Sequence, residues 1–299
     1  MGTRIMNTLN FYLVLDSTAV SICNYKAEYF KSKNEIVDIN TLKRLISYAN
    51  TYDYIFSFVH GRELPQEYYQ VLSSCRNQTN IMDSILFEKL YYMPNVTVSF
   101  DADKISLLNK RKMSQDLNRS AIIHFNQVNI TQLFNAVISL LRISRRITIV
   151  CDDYSYYMGS NRIEYENELR KISELLKSEI RLGKLTEINV LTDSIFVDTS
   201  NQCPAGVNSF AFSTDGKLFP CPAFIGMRDW ELPFSCGNGF ENKLETIFSM
   251  RPICCNCSNN HCRRCAFINY LFTKEICIPP YEACEIATIE NHISSTIYG

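Results

Sequence analysis

Cys203-Pro-Ala-Gly-Val-Asn-Ser-Phe-Ala-Phe-Ser-Thr-Asp-Gly-Lys-Leu-Phe-Pro-Cys221 decides how this 299-residue chain reads. After a gap it continues as Cys254-Cys255-Asn-Cys257-Ser-Asn-Asn-His261-Cys262-Arg-Arg-Cys265, and Cys284 follows. Ten of the thirteen cysteines lie between Cys203 and Cys284, and only Cys23, Cys75 and Cys151 precede them. Thiols this dense ask for a soft metal, because each is otherwise a reactive or buried orphan. The run from Phe210 to Phe219, with Asp215-Gly216 as its turn, predicts a β-hairpin that brings its two flanking cysteines to one end. Cys254-x2-Cys257 supplies two thiolates from one tight turn, as iron–sulfur and zinc sites both require.

Upstream of the cysteines, short β-branched or aromatic runs alternate with amphipathic segments of helix length. The pattern predicts strands at Asn10–Leu15, Tyr54–Val59, Val96–Phe100, Ala121–Phe125, Ile147–Cys151 and Glu187–Leu191. Helices are expected at Thr41–Ala49 behind an Asp38/Asn40 cap, at Gln66–Ser73, weakly around Asp103–Gln115, at Ile130–Leu141 behind Asn129, and at Glu164–Leu182. Asn77–Asn95 shows no clear strand. Apolar strands alternating with helices indicate an α/β protein with a parallel sheet, either a partial (β/α) barrel or a doubly wound sheet. Polar residues at Asp193–Asn201 mark the best domain boundary.

Composition narrows the function. A net charge of −1 and a pI near 6.4 leave no electrostatic footprint for nucleic acid. No uncharged apolar run approaches the roughly 18 residues a membrane span needs. The stretch Met1–Asn7 lacks a signal-peptide pattern, so a cytoplasmic protein with reduced thiols is expected, which favours metal over disulfides. The Asn-x-Ser/Thr matches at Asn77, Asn95, Asn118 and Asn129 then read as chance. There is no phosphate-cradling glycine loop and no supportable Ser/His/Asp arrangement.

The spacing Cys203-x12-Gly216-x4-Cys221, then Cys254-x2-Cys257, Cys262, Cys265 and Cys284, resembles the SPASM domain of radical SAM peptide-modifying enzymes. Cys257-x4-Cys262-x2-Cys265 is one residue shorter than that family's pattern in each interval. The resemblance implies a partial (β/α)6 barrel over residues 1–198 and a SPASM-like iron–sulfur domain with a β-hairpin over 199–299. It implies one or two auxiliary [4Fe–4S] clusters, with Cys203, Cys221 and Cys265 serving the first and Cys254, Cys257, Cys262 and Cys284 the second. A zinc ion held by four of these thiolates is the alternative. Cys255 competes with Cys254 as a ligand, and Cys236 or Cys277 is a reserve; His261 reads as a packing or hydrogen-bonding residue.

Two landmarks of radical SAM catalysis have no match. The C-x3-C-x2-C loop after the first strand is here Leu13-Val-Leu-Asp16-Ser17-Thr-Ala-Val20-Ser21-Ile-Cys23-Asn24-Tyr25. Either Ser17, Ser21 and Asn24 or Asp16, Val20 and Cys23 take the three positions, so at most one thiolate is offered. In place of a G-G-E-P turn after strand two stands His60-Gly61-Arg62-Glu63-Leu64-Pro65, where Arg62 puts a bulky cation at a place of close backbone approach. The resemblance implies that His60, Gly61 and Glu63 would line the remnant mouth of a cofactor site; S-adenosylmethionine is not expected, and no catalytic residue is assigned. The chain resembles a degenerate, or pseudo-, radical SAM protein, and in particular the CXXX repeat peptide maturases. The segments that carry this are Tyr12–Tyr25, His261–Cys265 and Pro279–Cys284.

The resemblance implies an auxiliary or partner role in maturing a ribosomally made, cysteine-containing peptide, with that peptide, an active radical SAM enzyme or a second copy of the chain as partner. An active maturase with an atypical site and a zinc-stabilised peptide-binding scaffold are the alternatives. No N-terminal winged helix precedes the first strand, so leader recognition would rest on the barrel or on another protein. Asp152-Asp153 end the fifth strand, where barrel sites lie, but read first as capping or solvated residues. Tyr154, Tyr156 and Tyr157 would line a groove or pack. Cys23 reads as a buried apolar thiol, and Arg263-Arg264 as a solvated pair.

Overall fold

The computed structural model describes residues 9–23, 35–114, 119–152, 162–184, 186–196, 203–236, 253–254, 257, 259, 262 and 265–297. Asn24, Tyr25, Asp153, Tyr154, Tyr156, Tyr157, Cys255, His261, Arg263 and Arg264 lie outside them. The chain divides into two compact units, each drawn from separated stretches.

The first unit takes Met1–Val20, Ala27–Met82 and Pro204–Met250. Strand β1 (Asn10–Val14) pairs in parallel with β2 (Ile55–Val59) on one side and β8 (Ser209–Phe212) on the other. Beyond β2 lies β3 (Gln78–Asp83), also parallel, and β9 (Leu218–Phe219) closes the expected hairpin antiparallel to β8. Gly216, at φ +76° in the turn, adopts the left-handed backbone that other residues resist. Parallel neighbours need crossovers, supplied by α1 (Ile39–Tyr52) and α2 (Gln66–Leu72). Asp38 caps α1 by accepting from Thr41 N at 2.9 Å, and Asp53, at φ 57°, ends it.

Alternation gives these strands two different faces. Phe11, Phe56, Phe210 and Phe212 are fully buried, and Phe11 meets Phe56 at 5.6 Å, Phe212 at 5.4 Å and Tyr48 of α1 at 6.3 Å between ring centroids. Each such side chain contributes about 1.5–3 kcal/mol by leaving water. The opposite face is mixed: buried Val14, Val59 and Ile81 share it with a polar chain in which Thr79 Oγ1 donates to Ser57 Oγ at 2.8 Å, and Ser57 Oγ to Asn10 Oδ1 at 3.1 Å.

The second unit takes Ser21–Lys26, Asp83–Cys203 and Arg251–Gly299. Parallel strands β4 (Val96–Asp101), β5 (Ser120–Phe125), β6 (Arg146–Cys151) and β7 (Glu187–Ile188) lie side by side in that order. The crossovers include α4 (Lys110–Met113), α5 (Leu133–Leu140) and α6 (Arg162–Arg181). Phe125 stacks on Tyr165 of α6 at 5.3 Å, so its neighbour His124 faces the other way, on a face where Ser99, Ser120 and Thr148 alternate with buried Ile122 and Val150. Helices α7 (Asn189–Phe196), α8 (Ala266–Thr273) and α9 (Tyr281–Ser295) complete the unit.

Three local expectations are corrected. The stretch Asn77–Asn95 holds β3 and α3 (Ser84–Leu90). Its polar residues hid the strand because they are committed partners: Gln78 Nε2 donates to Leu72 O and Cys75 O, and Asp83 caps α3 by accepting from Leu86 N. Asn129 does not cap the following helix; its side chain accepts from Asn126 N and donates to Asp103, and a 3-10 turn (Ile130–Gln132) precedes α5. The strand expected at Glu187–Leu191 ends at Ile188. Asn189 turns inward to bind both N and O of Ile149, and α7 begins there.

His60, at the end of β2, is fully buried on the helix-covered face, with Nε2 3.0 Å from Asn80 Oδ1. Burial pulls its pKa from an ordinary 6.5 down to about 4, against the opposing pull of Asn80 and Asp16. The unfolded chain therefore takes a proton on His60 before the folded one does. Stability is intact above pH 6.5 and is lost as pH falls from 6.5 toward 4, by about 3 kcal/mol in all. Denaturant midpoints measured between pH 7 and pH 4.5 should fall less steeply in His60→Gln than in the native chain; equal slopes would place the acid sensitivity elsewhere.

Candidate metal centre

All seven cysteines of the motif fall within the described residues, and each is positioned by an identifiable local structure. Cys257 N donates to Cys254 O at 3.2 Å, which closes the tight turn expected of the Cys-x2-Cys pair. Cys284 sits in the first turn of α9, and α9 is fixed along its length: Tyr165 OH donates to Glu290 Oε1 at 2.7 Å, Ser294 Oγ to Leu191 O at 2.6 Å, and Arg162 pairs with Glu285. Cys265 is the N-cap of α8. Cys221 is buried at the start of a 3-10 turn (Pro222–Phe224). Gly206, three residues after Cys203, donates to Pro220 O at 3.0 Å, so the hairpin ends converge as its turn requires.

The electrostatics divide the sulfurs into groups. Burial pushes the Cys284 thiol up, and the nearby sulfurs of Cys254 and Cys257 push it further. Cys265 is pushed up to about 12, first by burial and then by Cys203, against the amides of Ile268 and Phe267 that favour its thiolate. A thiol raised by a neighbouring sulfur as well as by burial lies within electrostatic reach of that sulfur. A thiophilic metal removes the proton and the repulsion together, so the donor set fits one. Among the described residues no three His, Cys, Asp or Glu side chains already converge as a finished metal site. Cys257 and Cys284 are exposed, Cys254 is half-buried, and no disulfide ties any of them.

The reserve cysteines have other surroundings. Cys236 ends an extended segment (231–236) whose exposure alternates residue by residue, and it lies near Arg44 and Tyr48 of α1. Burial raises its thiol and Arg44 opposes that. Cys277 is half-buried in the loop after α8, which Asn269 and Thr273 hold through the carbonyls of Ile276 and Ile278.

At the ends of β1 and β2, Asp16 is fully buried. Its Oδ1 accepts from Thr18 N at 2.9 Å and Thr18 Oγ1 at 2.5 Å, and its Oδ2 from Gly61 N at 2.8 Å. Arg62 donates to Glu35 O at 3.0 Å and faces the Glu35 carboxylate at 3.5 Å. His60 is in the core, as described above, while Glu63 is exposed.

One polar pair escaped the sequence. His124, at the end of β5, is 5% exposed; its Nδ1 lies 2.7 Å from Asp152 Oδ1 and its Nε2 3.2 Å from Ser21 O. Asp152 thus has a structural partner, and the segment after β1 is anchored through Ser21. A histidine at the carboxyl end of a strand in a (β/α) pattern was the available signal.

No protein-family model matches the chain. No curated protein is similar to it. Solved structures are. Native anSMEcpe with bound AdoMet and Cp18Cys peptide superposes with a TM-score of 0.65 over 97% of this chain and 97% of that one, at 13% identity. A histidine-tagged form with bound AdoMet gives 0.64 over 96% and 97%, at 12% identity. Streptococcus suis SuiB bound to the precursor peptide SuiA gives 0.55 over 93% of this chain and 76% of that one, at 13% identity. Parallel strands joined by helices match these proteins over nearly the whole chain: the fold is that of the radical SAM/SPASM enzymes.

Proposed function

We propose that this chain is an auxiliary or partner protein in the radical-SAM-type maturation of a ribosomally synthesised, cysteine-containing peptide. It binds the peptide, an active radical SAM enzyme, or both, and carries one or two [4Fe–4S] clusters. Cys203, Cys221 and Cys265 hold one, and Cys254, Cys257, Cys262 and Cys284 the other. The observation that carries this reading is the grouping of the thiols: Cys284 with Cys254 and Cys257, and Cys265 with Cys203. These links join five of the seven cysteines and support that division.

A [4Fe–4S] cluster, when bound, supplies one-electron transfer and thiophilic iron. The chain's own residues do the rest. The amides of Phe267 and Ile268 favour the Cys265 thiolate from the first turn of α8. The anchoring of α9 on α6 and α7 fixes where Cys284 stands. The half-buried Asn10 and Thr79 in one unit and Ser120 and Thr148 in the other are neutral hydrogen-bonding groups that a peptide backbone could meet. Peptides bound to anSMEcpe and SuiB support that use. Asp16 and Gly61 engage each other instead of a cofactor, which favours a binding role over catalysis with S-adenosylmethionine.

Two measurements test the reading. Cys257→Ala and Cys284→Ala should each lower bound iron in protein purified without oxygen, while Cys236→Ala leaves it unchanged; equal iron in all three would reject the ligand assignment. In fluorescence anisotropy, a labelled synthetic peptide carrying CXXX repeats should bind the metal-loaded protein. Its Cys→Ser version should bind about tenfold more weakly. Absence of binding to both peptides would reject the peptide-partner role and leave the metal assignment standing.

A further inference from the structure

In parallel α/β sheets, ligands enter at the carboxyl ends of the strands, where the loops spread apart. The carboxyl ends of β1 and β2 do not spread. Leu15 N donates to Val59 O at 3.0 Å, one residue beyond β1, and the next residue is Asp16. Its carboxylate takes hydrogen bonds on both oxygens, from both arms of the opening: Thr18 on the β1 side and Gly61 N on the β2 side. The arms also touch directly. A Cβ built on Gly61 would lie 2.1 Å from Thr18 C and 2.3 Å from Ala19 N, so only glycine permits this approach. A second layer lies above the first, where Ser17 N donates to Glu35 O at 2.9 Å and Arg62 reaches the same carbonyl. Asp16 forms an isolated bridge with Ile36, and Val37 N donates to Leu15 O.

We propose that Asp16 is a built-in ligand: its carboxylate occupies the crevice between the ends of β1 and β2 and locks it shut. The Gly61 amide, which an open crevice would present to a bound carboxylate or phosphate, is spent on the chain's own carboxylate. A small anionic or zwitterionic molecule, S-adenosylmethionine included, therefore does not find the Gly61 amide free. A buried carboxylate with three donors is strongly held, because hydrogen bonds to charged groups are about twice as strong as neutral ones.

Amide hydrogen exchange read by NMR on the full-length protein tests this. Asp16→Asn keeps shape and removes the charge, and turns a second donor toward Thr18 or Gly61. Exchange at Gly61 N should accelerate about tenfold or more relative to amides in α6, and Thr18→Val, which removes only the hydroxyl donor, should give a smaller acceleration of about threefold. Should Asp16→Asn fail to fold, the Thr18→Val result decides. Equilibrium dialysis with labelled S-adenosylmethionine should retain none on the native chain. Unchanged exchange at Gly61 in the folded variants, or retained S-adenosylmethionine that further slows Gly61 exchange in the native chain, would overturn the proposal.

Discussion

Burial first, and neighbouring sulfurs second, raise the thiols of Cys284 and Cys265, and both residues are carried by helices whose apolar faces are packed away. Cys254 and Cys257 leave one turn side by side, Cys284 comes to them on a helix pinned by Tyr165, Arg162 and Leu191, and Cys265 opens α8 near Cys203. Each carrier element also has apolar or hydrogen-bonded reasons to be where it is, as the burial of Phe267, Ile286 and Ile293 records. The thiol groups are thus held by packing, and a soft metal would relieve a repulsion that packing alone leaves standing.

Much of this was legible in the sequence, for a physical reason. Ligand spacing and hairpin turns are local: Cys254-x2-Cys257 and Asp215-Gly216 state their geometry within a few residues. The alternation of strands with helices is local too, and β1, β2, β4, β5 and β6 fall within a residue of their expected ends. What stayed hidden depends on distant partners. His124 acquires its role from Asp152 and Ser21, 28 and 103 residues away, and neither has a sequence signature. β3 escaped because Gln78 and Asn80 are polar in order to satisfy Leu72, Cys75 and His60, which masks the apolar pattern of a strand. The parallel pairing of β8 with β1 could not be read either, since the hairpin signal specifies its partner within the turn and nothing beyond it.

The two ends of the molecule's chemistry have diverged. At β1 and β2, glycine and carboxylate serve closure: Gly61 packs against the backbone of Thr18, and Asp16 takes up the amides on both sides. At the cysteines, the Cys265 thiol is raised by burial and by Cys203, and the Cys284 thiol by burial and by Cys254 and Cys257.

Iron, zinc and acid-labile sulfide per chain, measured on protein purified without oxygen, test the central claim most directly. Two [4Fe–4S] clusters give about eight iron and eight sulfide, and a single cluster about four of each. One zinc with no sulfide, or no metal at all, would contradict an iron–sulfur centre and reduce the cysteine-rich segment to a structural tail.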